Sequence, residues 1–166
     1  MEKIFISACF MGENVKYDGG HQSLTHQAII LWKQEKRLVS GCPECLGGLS
    51  VPRDPAEIQQ GNRLRNQKTI TINNEDVTDN FHKGALKTLD ICLKNEIKFA
   101  LLKESSPSCG STMIYDGSFS NVKIQGQGVT AQLLTNHGIA VFSEKTIEAL
   151  IAQVNNSIIG NNLHTY

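Results

Sequence analysis

Four cysteines stand where a thiol could do chemistry. Cys9 closes the apolar run Ile4-Phe5-Ile6-Ser7-Ala8-Cys9. Cys42 and Cys45 form a CxxC pair in Gly41-Cys42-Pro43-Glu44-Cys45, just after Leu38-Val39-Ser40. Cys109 sits in Ser105-Ser106-Pro107-Ser108-Cys109-Gly110, after the apolar run Ile97-Lys98-Phe99-Ala100-Leu101-Leu102. Cysteines that follow three separate strands suggest three thiolates converging on one point. A closed structural zinc site needs a fourth protein ligand, which Cys45 could supply. A lone CxxC is weak evidence for zinc, however, and there is no second knuckle. A thioredoxin-like redox pair normally opens a helix, and Gly47-Gly48 directly after Cys45 argues against a stable helix start. The third use is an iron–sulfur cluster. Full ligation of a 4Fe–4S cluster takes four cysteines. Three would leave one iron open as a Lewis acid, suited to a soft substrate sulfur. Glu44, between the paired thiols, is a candidate for catalysis by its place beside them, with a loop cap or an ion pair to Arg53 as its plain structural alternative.

The elements that must position these residues read as alternating strands and helices. Lys3 to Cys9 is the first expected strand, and Ser23 or Thr25 caps an expected helix running to about Lys36. Leu38 to Ser40 is a second strand. The segment from Gly41 to Leu49 is too rich in Gly and Pro to be regular. Alternation from Arg65 to Asn73, with Ile70 and Ile72 on one face, predicts a small hairpin off the main sheet that could act as a lid. Asp76 or Thr78 starts a helix to about Asn95, its apolar face marked by Phe81, Ala85, Leu89 and Cys92. Cys92 there is a core residue rather than a ligand. Ile97–Leu102 is a buried strand that breaks into the Ser-Pro-Ser-Cys-Gly turn. A helix to about Asn136, a strand Ile139–Phe142 and a final helix capped by Ser143 and running to about Ile158 follow, with a frayed tail over 158–166. The expected architecture is a single α/β domain over 1–166, Rossmann-like, with a mainly parallel sheet and helices on both faces. Its site would lie at the carboxyl edge of the sheet.

Composition excludes several classes. The chain has 166 residues, 40% hydrophobic and 19% charged, with sixteen basic side chains balancing sixteen acidic ones. No electrostatic footprint of a general nucleic-acid binder is present, and no apolar run reaches membrane-spanning length. The N-terminus enters a strand at once without a signal-peptide pattern, which predicts a cytoplasmic protein. Five cysteines in that compartment favour metal binding or catalysis over a disulfide framework. The histidines are scattered and read as surface residues. Arg53 is a candidate for binding a phosphate or carboxylate, with a structural ion pair as the alternative. Tyr17 or Asp18 of the first Tyr-Asp-Gly turn could line a pocket. Gly126-Gln127-Gly128 before a helix could cradle a phosphate, but a plain turn is the default.

Ser7-Ala8-Cys9, Tyr17-Asp18-Gly19, Cys42-Pro43-Glu44, Gly47-Gly48-Leu49 with Pro52-Arg53, Asp76-Val77-Thr78, Ser106-Pro107-Ser108-Cys109-Gly110, Ile114-Tyr115-Asp116-Gly117 and Gly126-Gln127-Gly128-Val129-Thr130-Ala131 occur in this order. Together they resemble the bacterial family typified by the thiouracil desulfidases, from about residue 3 to 144. The resemblance implies a 4Fe–4S cluster carried by Cys9, Cys42 and Cys109. It implies non-redox, hydrolytic removal of sulfur from a thiolated pyrimidine, with Glu44 as catalytic carboxylate and Ser106 as catalytic serine. Ser108 is the second choice for that serine and, with Tyr17 and Arg53, a candidate for substrate contact. Cys45 departs from the family pattern, where an apolar residue is usual, and counts as an extra thiol. The alternative to an enzyme is a zinc-binding protein, or a cluster or sulfide carrier without turnover.

Overall fold

The computed structural model describes residues 1–60 and 67–162. In chain order the elements are β1 (Ile4–Ser7), α1 (Gln27–Gln34), β2 (Leu38–Gly41), α2 (Pro43–Leu46), β3 (Ala56–Ile58), β4 (Thr69–Thr71), α3 (Thr78–Lys94), β5 (Phe99–Leu102), β6 (Met113–Tyr115), β7 (Lys123–Gln125), α4 (Val129–Asn136), β8 (Ala140–Ser143) and α5 (Ile147–Asn162).

The central sheet has the order β2-β1-β5-β8, and every pair in it is parallel. β1 is buried on both faces, as an interior parallel strand must be, so it reads as a continuous apolar run. Ile4 and Ile6 face one side, where Ile29 and Trp32 of α1 and Leu150 and Val154 of α5 cover them. Phe5 faces the other, where Leu89 and Cys92 of α3 and Ala131 and Leu134 of α4 pack. Cys92 is fully buried, as its place on the apolar face of α3 predicts. The parallel sheet with helices on both faces is therefore as expected. Winding proceeds outward from β1 to β2 on one side and from β5 to β8 on the other. The reversal falls between β1 and β5, and the carboxyl ends of such a pair open a crevice for ligands. No described helix is long and apolar enough to cross a membrane.

Several local expectations change. β1 stops at Ser7, and Ala8–Met11 form a tight 3-10 turn, so Cys9 sits on a helical turn rather than in the strand. Helix α1 starts at Gln27, where the His26 ring accepts the Ala28 N–H at 3.1 Å in place of a Ser or Thr cap. The Gly- and Pro-rich stretch contains a helix after all, because Pro43 occupies its first turn, where no N–H is needed. The hairpin of β3 and β4 is antiparallel and pairs Glu57 with Ile70; residues 65 and 66 of the expected 65–73 stretch lie outside the described residues. A second hairpin, β6 with β7, was not anticipated. Helix α5 begins at Ile147 and continues to Asn162, past the expected fraying point. His164 lies outside the described residues.

Glycine explains how α2 is seated. A Cβ on Gly84 of α3 would lie 2.0 Å from the Pro43 carbonyl oxygen, and one on Gly47 would lie 2.0 Å from the Asn80 carbonyl oxygen. The two backbones touch directly, and Gly47, which ends α2 as its C-cap, permits this approach. Gly84→Ala is expected to destabilise the fold by about 2–3 kcal/mol through overpacking. Urea unfolding measures it, and an unchanged midpoint would show that α2 shifts freely.

Candidate active site

The loops after β1, β2 and β5 bring Cys9, Cys42 and Cys109 to the walls of one cavity of about 480 Å³. Cys9 is carried by the turn after β1, Cys42 precedes Pro43 at the start of α2, and Cys109 lies in the turn after β5. Cys9 and Cys109 are buried, and Cys42 is half-buried. Burial raises the Cys109 thiol far above its ordinary range, and negative charge on Cys42, Glu44 and Cys9 would raise it further. Burial also raises the Cys42 thiol. Cys9 is raised by burial too, against the opposing pull of the Lys103 ammonium. Three such thiols hold their protons until a cationic centre competes for the sulfurs. Ser7 supports this cluster from beneath. Its hydroxyl accepts the Lys103 N–H at 3.1 Å and points at Cys109 Sγ, 3.9 Å away.

Among the described residues, no group of three or more His, Cys, Asp or Glu side chains is placed to hold a single metal ion. Three cysteine thiols line this cavity, one short of the four protein ligands of a closed zinc site, a donor set that fits an iron–sulfur cluster with one open iron. Cys45 is not among the residues lining the cavity; its thiol lies 4.0 Å from both the Val15 carbonyl and the Arg53 guanidinium, and Cys42 Sγ lies 3.9 Å from that same carbonyl.

Glu44 joins the same cavity from the first turn of α2. Its Oε1 accepts the Ser106 hydroxyl at 3.4 Å, and its Oε2 accepts Arg53 Nε at 2.8 Å and pairs with Nη2 at 2.6 Å. The remaining Arg53 donors go to the Ser50 carbonyl at 3.1 Å and the Val15 carbonyl at 3.0 Å. Arg53 is thus fully engaged inside the protein. The ion-pair alternative is present, and the guanidinium also borders the cavity. Glu44 has one oxygen fixed by the cation and the other turned to Ser106, an arrangement able to take a proton from a bound water. Tyr17 lines the cavity rim, and its carbonyl accepts the Arg53 N–H at 2.8 Å.

The turn from Ser106 to Gly110 separates the two serines. Ser106 Oγ accepts the N–H groups of Ser108 and Cys109 at 3.1 and 3.2 Å, which tightens the turn and keeps Ser106 at the cavity. Ser108 is 1% exposed, and its hydroxyl bonds Thr130 Oγ1 at 2.8 Å, away from the cavity. The substrate contact expected of Ser108 is therefore corrected to a structural one. The Gly126-Gln127-Gly128 segment is likewise no phosphate cradle. The N–H groups of Gly128, Val129 and Thr130 donate to the carbonyls of Gly110, Pro107 and Ser108 at 2.9, 2.9 and 2.8 Å. A Cβ on Gly128 would lie 2.4 Å from the Ser108 carbonyl carbon, so only glycine lets helix α4 close on the cysteine turn.

The residue that organises this turn was missed in the sequence. Glu104 is 2% exposed. Its Oε1 accepts the N–H groups of Ser105, Ser111, Thr112 and Met113 at 3.0–3.2 Å. Its Oε2 accepts the hydroxyls of Ser111 at 2.6 Å and Thr112 at 3.3 Å. Burial alone would raise this carboxyl, but the hydrogen bonds outweigh it and hold the pKa at about 2. They also offset the left-handed backbone of Ser105, at φ 65°. The signal available was a lone acid before a donor-rich Ser/Thr/Gly loop, whose buried N–H groups need an acceptor. Because the folded pKa lies below the unfolded value of about 4.3, this stabilisation is full above that value and is lost as pH falls toward 2. Glu104→Gln is expected to cost on the order of 3 kcal/mol at pH 7. The variant should also lose less stability than the parent between about pH 5 and pH 2, by urea titration at each pH. Parallel pH profiles would contradict the assignment.

Comparison with known proteins follows the same segments. Residues 4–146 match the family model described as 2-thiouracil desulfurase. An uncharacterised protein of Bacillus subtilis (strain 168), YbbK, is 42% identical over 152 residues, spanning 89% of this chain and 99% of that protein. A solved structure described as the 4Fe-4S-dependent thiouracil desulfidase TudS superposes with a TM-score of 0.87 at 43% identity, covering 93% of this chain and 99% of that one.

Proposed function

The chain belongs to the 2-thiouracil desulfurase family, and on that premise we propose that it hydrolyses the carbon–sulfur bond of a thiolated pyrimidine. The products are a uracil-type base and hydrogen sulfide. The observation that carries this reading is the meeting of three soft thiols with the Glu44–Ser106 pair on one cavity. Cys9, Cys42 and Cys109 would hold a 4Fe–4S cluster, the group named for the similar solved structure. Bound by three thiolates, such a cluster supplies an open, soft Lewis-acidic iron for the substrate's sulfur.

The chain's own residues do the proton chemistry. Glu44 takes a proton from a water molecule as that water attacks the ring carbon bearing sulfur. Arg53 holds the carboxylate in place through Oε2 and leaves Oε1 to act. Ser106 orients the water or the ring through its hydroxyl, which already points at Glu44. Glu44 then gives that proton to the sulfur, the carbon–sulfur bond breaks as the new hydroxyl loses its own proton to form the ring carbonyl, and the two protons leave with the sulfur as hydrogen sulfide. One water enters, oxygen replaces sulfur on the ring, and no electrons are exchanged, so no reductant is consumed.

Metal analysis of protein prepared without oxygen tests the centre. Iron with acid-labile sulfide is the expected result. Zinc without labile sulfide would overturn it in favour of a structural metal site.

A further inference from the structure

The loop joining β6 to β7 is held more firmly than a hairpin turn requires. Phe119 has a left-handed backbone, at φ 58°. That conformation is uncommon for any residue with a side chain and is a strained one for a bulky aromatic. Strand β3 holds it there. Glu57, 8% exposed, accepts the N–H groups of Gly117 at 2.9 Å and Phe119 at 3.0 Å on one oxygen. Gln59 Nε2 donates to the Gly117 carbonyl at 3.0 Å. Gly117, at φ 94°, lies so close to β3 that a Cβ would be 2.9 Å from the Ile58 carbonyl oxygen. A strained residue persists only where its surroundings over-determine it, and such residues cluster at ligand clamps. Phe119 lines the cavity shared by the three cysteines, Glu44 and Ser106.

We propose that Phe119 is the stacking platform for the substrate's pyrimidine ring and that Glu57 is its positioning residue. This rests on the thiolated-pyrimidine reading of the site. A pyrimidine offers a flat π-face, and an aromatic side chain binds that face while leaving the ring edge free for Glu44 and Ser106. Sulfur chemistry at the edge and stacking on the face then use different walls of one cavity. Glu57 also borders the cavity, and it sets Phe119 through Oε2, the oxygen that accepts the loop N–H groups.

The test uses cluster-reconstituted protein, with equilibrium binding of uracil and steady-state kinetics on 2-thiouracil. Phe119→Gly removes the ring but suits the backbone, so the thermal midpoint should hold or rise. Uracil affinity should fall, and KM should rise, by about 5- to 100-fold, with a smaller change in kcat and an unchanged cluster absorbance. Phe119→Tyr should return most of the affinity. Glu57→Gln should raise KM in the parent but add nothing in the Phe119→Gly background, which separates positioning from general destabilisation. Parent-like uracil affinity and KM in Phe119→Gly, with an active parent, would overturn the platform and leave the desulfidase reading intact. A reconstituted parent that neither binds uracil nor consumes 2-thiouracil would overturn both.

Discussion

Replacing Glu44 with Gln is expected to lower turnover of 2-thiouracil by about a thousandfold while iron and labile sulfide stay at parental levels. Among the described residues, Glu44 is the one carboxylate that lines the cavity, touches Ser106 and is fixed by a cation. Gln preserves its size and can still accept from Arg53, but it cannot take a proton from water. The change also leaves the Arg53 guanidinium without its counter-charge at a largely buried position, which lowers stability. Thermal unfolding of the same preparation separates the two effects, because a folded, cluster-bearing and inactive protein isolates the proton chemistry. Parental turnover in this variant would remove Glu44 as the base. Ser106→Ala should fall between the two, since Ser106 also holds the turn through the Ser108 and Cys109 N–H groups.

The second large effect is expected at the sulfurs. Cys9→Ala, Cys42→Ala and Cys109→Ala should each abolish stable iron and labile sulfide binding and bring activity to background, because two thiolates cannot retain a centre built for three. Cys92→Ala and Cys45→Ser are the controls. Cys92 sits in the core of α3, its thiol pushed up to about 12 by burial, far from any role as a ligand. Its loss should cost about 1–2 kcal/mol and leave the cluster in place. Cys45 is not among the residues lining the cavity, so Cys45→Ser should also keep its iron. Iron retention in Cys109→Ala together with iron loss in Cys45→Ser would reverse the ligand assignment.

Much of this site was legible because strand ends and chemistry coincide along the chain. An apolar run followed by a cysteine-bearing turn marks the carboxyl edge of a parallel strand, and all three cysteines share that pattern. What the order of residues could not convey was the partner of each polar group. The Glu44–Arg53 ion pair is among the expected alternatives, but that it borders the same cavity as the three cysteines depends on the fold. Ser106 and Ser108 are chemically identical in the sequence; Thr130, brought in by α4, is what takes Ser108 out of the site. Glu104 carries no motif, since its six acceptor contacts depend on a loop closing around it. The hairpin of β6 and β7 escaped notice because Lys123 and Gln125 are exposed and its strands are three residues long. With it went Phe119 and the β3 acid that holds it.

The most direct measurement mixes anaerobically reconstituted protein with 2-thiouracil, without any reductant, and follows thiocarbonyl absorbance and sulfide together. Loss of the thiocarbonyl with one sulfide released per uracil formed, over many turnovers, is the predicted result. An intact cluster that releases no sulfide from 2-thiouracil, or releases it only when electrons are supplied, would contradict the hydrolytic account.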